Sequence, residues 1–334
     1  MSVSELTKNG TWIIAEIGIN HEGSVHTCKN LVDVAAKAGA NAVKLQTIDP
    51  KLNYSSDTES YKIFEKAQLT FSELNEVFEY ARARRVEPFT TVGDVKTLRK
   101  IECLRPACYK VSSGLLTCTP IIDEIVRLGK PIILSTGMVG IKEIKEILGS
   151  IETLSPDMIA ILHCVSLYPT ELEDLNLSQI QFLSAKFGFC VGFSDHSGRP
   201  EIASNAVMAG AKIIECHITI DKTRAGFDHK VSLDPNEFKH MVSRVRYAEK
   251  MLGAPEAIRT KRIRKVGAQM GRYLSTIEDV KKGDELSLEN VGFLRYTQTH
   301  DLLPANKFNE LSEKKFKRNI AAFSPILLED LTDA

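Results

Sequence analysis

The sequence has no excess of charge. Lys and Arg total 43, Asp and Glu total 43, and the formal net charge is zero. Binding to nucleic acid or an anionic membrane surface calls for a basic face, so neither partner is expected. Any Cys-x-x-Cys pair is also missing. The seven cysteines (28, 103, 108, 118, 164, 190, 216) are odd in number and scattered. That pattern reads as reduced thiols in a cytoplasmic protein. No Walker loop or Gly-x-Gly-x-x-Gly follows an apolar run, so a nucleotide is not indicated. The longest uncharged runs, such as MIAILHCVSLYPT, fall short of the roughly 18 residues of a membrane span. The opening MSVSELTKNG has no apolar segment of the signal-peptide kind.

What is present is alternation. Short apolar, β-rich runs at 12–18, 41–47, 87–92, 107–113, 131–136, 159–166, 190–195 and 212–219 alternate with helical patterns. Leu31, Val34, Ala35 and Ala38 follow helical spacing, as do Leu74, Val77, Phe78 and Ala81. Thr70-x-x-Glu73 reads as a capping box, and Asp234-Pro235-Asn236-Glu237 as a helix start. AGANAVK (38–44) and AGAKIIE (209–215) each place a glycine where a helix ends before a buried strand. Eight strand–helix units in about 250 residues is the count of an α/β (β/α)8 TIM barrel, with a doubly wound sheet the rival. The expected domains are a barrel at 1–253, a polar, basic linker at 254–270 and a small domain at 271–334.

Catalytic groups of such a barrel lie at the C-terminal strand ends, and these ends are polar. They carry Glu16, Lys44, Gln46, Thr90, Thr91, Lys110, Ser112, Ser113, Ser135, Thr136, Cys164, Ser166, Tyr168, His196 and His217. Taken singly, a serine or histidine here reads as a hydrogen-bonded packing residue. A lysine inside a strand is different, because a buried ammonium needs an anion. Lys44 and Lys110 together point to a phosphorylated or carboxylated ligand. His196 and His217 end neighbouring strands about 4.8 Å apart. They read either as packing residues or as two ligands of Mn2+, Mg2+ or Zn2+ in an open site. The other histidines (21, 26, 163, 229, 240, 300) read as structural, with His229 a rim candidate.

The runs IIAEIGINHEG, GANAVKLQT, YKVSSG, GKPIILSTGM, LHCVSLYPT, GFSDHSG, HITIDKT and FDHKVSLDP resemble the sialic acid synthase family, in order and over nearly the whole barrel. DVKKGDELSLENVGFLR is more loosely similar to that family's C-terminal antifreeze-like (SAF) domain. The resemblance implies a TIM barrel with a SAF domain in a domain-swapped homodimer. It also implies condensation of phosphoenolpyruvate with an N-acetylated amino sugar, N-acetylmannosamine, dependent on Mn2+ or Mg2+. By position, His196 and His217 match metal ligands. Lys44, Thr91, Lys110, Ser113 and Ser194 match phosphoenolpyruvate contacts, with Gln46 near the metal. Glu16, Tyr168 and Asp228 match sugar-side residues, and Arg295 matches an arginine that the SAF domain lends to the partner's sugar site. The implied catalytic set is Glu16, Lys44, Lys110 and His217.

Four features depart from the family pattern. Leu115 stands where an acidic residue is usual, and Ser166 where some members have Asn. YTQTHDLLP lacks a Pro-Gly pair, and PFTTVGD replaces a Ser-Thr-Pro-Phe pattern. Two other readings therefore stand beside the first. One is the same condensation with a diacetamido-trideoxyhexose, giving legionaminic or pseudaminic acid. The other is a degenerate sugar-binding barrel without turnover.

Overall fold

Eight strands run parallel and close on themselves in chain order, in a computed structural model that describes residues 2–226, 228–253, 260–297 and 300–332. They are β1 (Trp12–Gly18), β2 (Ala42–Thr47), β3 (Glu87–Val92), β4 (Tyr109–Val111), β5 (Ile132–Ser135), β6 (Ile159–Cys164), β7 (Cys190–Asp195) and β8 (Ile213–His217), and β8 pairs with β1. With a helix following each strand, this is the (β/α)8 TIM barrel. The chain divides into two compact units, Met1–Gly253 and Ala254–Ala334.

Strand periodicity sorts the barrel's side chains into two cores. Ile13, Ala15, Val43, Tyr109, Ile161, Phe193 and Ile214 belong to the outer core, with Leu31, Phe78 and Phe238 of the surrounding helices. Trp12, Ile14, Ala42, Phe89, Cys108, Ile133, Ala160, Leu162 and Ile213, on the alternate positions, form a separate inner cluster. Val3 and Leu6 of the short helix Val3–Thr7 pack against that cluster. The apolar floor leaves the upper positions of the same parity, Glu16, Lys44, Thr91, Lys110, Ser194, Glu215 and His217, to line the mouth. Gly192 shares the inward parity, and a Cβ there would stand 2.5 Å from the Ile213 carbonyl oxygen, so the barrel closes only around glycine.

The helix signals act locally. Thr70 Oγ1 accepts the Glu73 N–H at 3.3 Å, and Glu73 Oε2 accepts the Thr70 N–H at 2.7 Å. Asp234 Oδ1 accepts the N–H groups of Asn236 and Glu237. Gly39 (φ 90°) and Gly210 (φ 104°) take the left-handed conformation that turns a helix into the next strand.

The second unit holds the antiparallel pair β9 (Tyr273–Thr276) and β10 (Val291–Leu294) over a core of Leu274, Val280, Leu286, Phe316 and Ile326. Within the expected linker, Lys261–Met270 is a helix capped by Thr260, with no buried residue. Positions 254–259 lie outside the described residues. Among the described residues no helix is long and apolar enough to cross a membrane.

Candidate active site

The barrel register places the polar groups before any side chain is considered. Glu16 is paired with Lys44 on one side and with His217 on the other. Thr91 is paired with Gln46 and with Lys110, and Ser194 with Glu215. These residues line one cavity of about 530 Å³ at the C-terminal strand ends, together with Ser113, Ser166, Tyr168, His196 and Asp228. The structure thus brings together every proposed site residue of the barrel. Arg295 lies in the other unit, exposed, one residue past β10, with Nη1 3.9 Å from Met270 Sδ.

The cavity base is a charge network. Lys44 Nζ lies 2.8 Å from Glu16 Oε2 and 3.7 Å from Glu215 Oε2, and donates to Thr91 Oγ1 at 3.2 Å. Lys110 Nζ donates to Glu215 Oε1 at 3.1 Å, and Ser194 Oγ donates to the same oxygen at 2.9 Å. Gln46 Nε2 donates to Glu16 Oε1 at 3.1 Å. Within the chain the buried lysines are paired with Glu16 and Glu215.

The two lysines are nonetheless unequal. Burial works against the Lys44 ammonium, but Glu16 and Glu215 outweigh it and hold its pKa above the usual value. Burial wins at Lys110, aided by the Lys44 charge, and its pKa is lowered. Burial opposes the Glu215 carboxylate, yet the two lysines and Ser194 hold its pKa down.

The histidines stand beside this network, with ring centroids 5.4 Å apart. Burial lowers both pKa values, so both rings are neutral at pH 7, as metal ligands must be. His196 Nδ1 donates to the Val165 carbonyl at 2.9 Å, which leaves the lone pair on Nε2, where it accepts from Tyr168 OH at 3.2 Å. His217 Nδ1 is buried without a hydrogen-bond partner among the described residues, 3.6 Å from Asp228 Oδ2. Among the described residues no group of three His, Cys, Asp or Glu is placed to hold an ion. The donor set therefore fits a cation whose other positions come from solvent or substrate, not a closed structural site.

Further groups orient these. Ser113 Oγ accepts the Gly137 N–H at 2.9 Å, and a Cβ on Gly137 would stand 2.4 Å from Ser166 Oγ, so glycine lets the two loops meet. Ser135 Oγ and Glu215 Oε2 are buried without a hydrogen-bond partner among the described residues, facing the same cavity. Leu115 lines it with Ile63, Phe64 and Met138.

The residue-by-residue reading missed Glu215 and Asn20. The parity shared with His217 marks Glu215 as inward-facing. Asn20 Oδ1 accepts the Asp228 N–H at 3.1 Å, and its Nδ2 donates to the Ile218 carbonyl and Ser232 Oγ. His229 is corrected from rim to interior. It is 1% exposed, between Thr219 Oγ1 and Glu22 Oε1, and braces the loop that carries Asp228.

Known proteins are similar to this chain in sequence and fold. An uncharacterised protein of Methanocaldococcus jannaschii is 39% identical over 85% of this chain and 85% of its own length. The N,N'-diacetyllegionaminic acid synthase of Campylobacter jejuni subsp. jejuni serotype O:2 is 31% identical over 93% of this chain and 96% of its own. The crystal structure of N-acetylneuraminic acid (sialic acid) synthetase from Leptospira borgpetersenii serovar Hardjo-bovis, in complex with citrate, superposes with a TM-score of 0.74 at 31% identity. It covers 77% of this chain and 90% of that one. The NeuB family pattern matches residues 31–257, and the chain belongs to that family.

Proposed function

We propose that this enzyme condenses phosphoenolpyruvate with the open-chain form of an N-acetylmannosamine-type sugar, giving a nine-carbon 2-keto acid and phosphate. The observation that carries the reading is the pairing, in one cavity, of two buried lysines with two neutral, converging histidines. Two relatives named as sugar-acid synthases support it.

In this reaction C3 of the enol ester bonds to the sugar's aldehyde carbon. Water adds at C2, the C2–O bond to phosphate breaks, and the aldehyde oxygen takes a proton. Lys44 and Lys110 hold the anionic ester, with hydroxyls from Thr91, Ser113 and Ser194. The partnerless Ser135 Oγ is a further donor for the ester's oxygens. Glu16, Tyr168 and Asp228 face the acceptor, and Gln46 fixes Glu16. His196 and His217 would hold Mn2+ or Mg2+, which when bound supplies Lewis-acid polarisation of the aldehyde. Arg295 completes the sugar contacts, supplied across a homodimer. On this reading Arg295→Ala raises the KM for the sugar and leaves that for phosphoenolpyruvate unchanged.

A second acceptor is favoured by the outer lining. Leu115, Ile63, Phe64 and Met138 present an apolar wall, which suits a diacetamido-trideoxyhexose better than a sugar with more hydroxyls. Phosphate release from phosphoenolpyruvate and Mn2+ with each acceptor in turn separates the readings. Release with N-acetylmannosamine supports the first and release only with the deoxy sugar the second. Release with neither sinks both and leaves a binding barrel.

A further inference from the structure

A second cavity, of about 240 Å³, lies beside the reaction site. It has room for roughly eight waters at about 30 Å³ each, which is the size of a small aromatic acid. Leu45, Leu74 and Ile101 form its inner wall, and Leu52, Phe64 and Ala67 of the segment after β2 form the outer one.

Its polar groups are few and specific. His21 borders it, 2% exposed. Its Nδ1 accepts the Gly23 N–H at 3.1 Å, so the ring proton sits on Nε2. Burial lowers the pKa to about 4, which keeps the ring neutral. Among the described residues no protein group takes the Nε2 hydrogen. Lys96 and Lys100 stand at the mouth, four residues apart on the helix Val95–Ile101, both exposed and without an ion pair among the described residues. Lys100 Nζ lies 5.2 Å from the Phe71 ring centroid. Asp49 also borders the space, but its Oδ1 is engaged by the Lys51 N–H at 3.1 Å.

We propose that this cavity binds a small apolar monocarboxylate and couples it to the reaction site. The walls take the apolar body, and the Nε2–H of His21 and the two lysines take the carboxylate. Coupling follows from shared walls: Gln46, Ile48 and Phe64 border both cavities. Phe64 stacks on Tyr54 of the reaction cavity at 5.3 Å. Gln46 holds Glu16, which holds Lys44.

The test is saturation-transfer NMR on the full chain with phenylacetate, and 2-phenylethanol as the neutral control. Phenylacetate should bind at about 1 mM or tighter, and the alcohol about tenfold more weakly or not at all. Lys96→Glu/Lys100→Glu should lose about tenfold in affinity, and Leu52→Trp, which narrows the mouth, should lose binding too. Saturating phosphoenolpyruvate should shift the phenylacetate Kd by a limited factor of about fivefold, because coupling is reciprocal and finite. Wild-type affinity in both variants, displacement without limit by phosphoenolpyruvate, or no shift at all would overturn the proposal. A chain that gives no signal for phosphoenolpyruvate itself counts against the condensation instead. The cavity is then judged on the lysine and Leu52 variants.

Discussion

Glu16 and Lys44 are register partners across the first two strands, and their charged ends meet at 2.8 Å in the barrel interior. With Lys110 and Glu215 they form a neutral set of four buried charges. Removing one member leaves an uncompensated buried charge, at a cost of about 3–5 kcal/mol. Lys44→Met should therefore be strongly destabilising, while Glu16→Gln/Lys44→Met leaves the Lys110–Glu215 pair balanced and should recover most of the loss. Urea midpoints of the two single variants and the double variant measure this coupling. Simple additivity would mean that the pair is not an interacting unit.

His21 should make the fold acid-sensitive. Its folded pKa is about 4 against an ordinary 6.5. The unfolded chain therefore binds a proton below pH 6.5 that the folded chain refuses until about pH 4. The stability contribution is full above pH 6.5 and falls with pH through that window, by about 3 kcal/mol in all. Other groups titrate in the same range, so the readout is the difference between wild type and His21→Gln. The variant should show the shallower loss between pH 7 and 4. Parallel curves would mean that the ring is not buried neutral.

Much of this site was legible because strand parity is local. Trp12, Ile14 and Glu16 alternate on one side of a strand, as do Ala42, Lys44 and Gln46, so an inward lysine can be read from its neighbours. Glu215 was passed over as a site residue for a physical reason. Its partner Lys110 is 105 residues away, and only barrel closure brings β4 opposite β8. His229 and Asn20 brace loops, whose contacts no periodicity encodes. The helix Lys261–Met270 went unread because its apolar residues, Ile263, Val266 and Met270, are few, interrupted by Gly267 and surrounded by basic ones.

Lys110 should set the alkaline limit for phosphoenolpyruvate. Its pKa is lowered by burial while that of Lys44 is raised, so Lys110 loses its charge first as pH rises. kcat/KM for phosphoenolpyruvate should begin its alkaline fall at a pH below lysine's usual pKa of about 10.4. Arginine keeps its charge, so Lys110→Arg should remove this bend whatever its absolute rate, whereas Lys44→Arg should retain it. A bend that survives in Lys110→Arg belongs to another group.

The histidine pair should be needed for turnover and dispensable for folding. His217 Nδ1 has no hydrogen-bond partner among the described residues and stands 3.6 Å from Asp228 Oδ2, so His217→Ala breaks no hydrogen bond at that nitrogen. It should melt near the wild-type temperature and lose at least about a hundredfold in rate. Chelation should abolish wild-type activity, and Mn2+ or Mg2+ should restore it. Full activity in excess chelator, with metal content measured as nil, would remove the cation from the reaction.

Leu115 separates chemistry from specificity. It is half-buried, packed against the outer core and also lining the reaction cavity beside Met138. If the proton work needs a carboxylate there, Leu115→Glu should raise turnover with N-acetylmannosamine, by up to the roughly 10²–10⁴-fold of a general acid or base. If the leucine serves as an apolar wall, the same change should lower kcat/KM for a diacetamido-trideoxyhexose by disrupting a contact worth about 1–3 kcal/mol. The two effects act on different substrates, so one variant measured with both sugars distinguishes them. Wild-type turnover of N-acetylmannosamine at the usual enzyme rates of about 1–10³ per second would show that no carboxylate is missing. A variant that is merely less stable, with both sugars used in the wild-type ratio, would mean that Leu115 contributes packing alone.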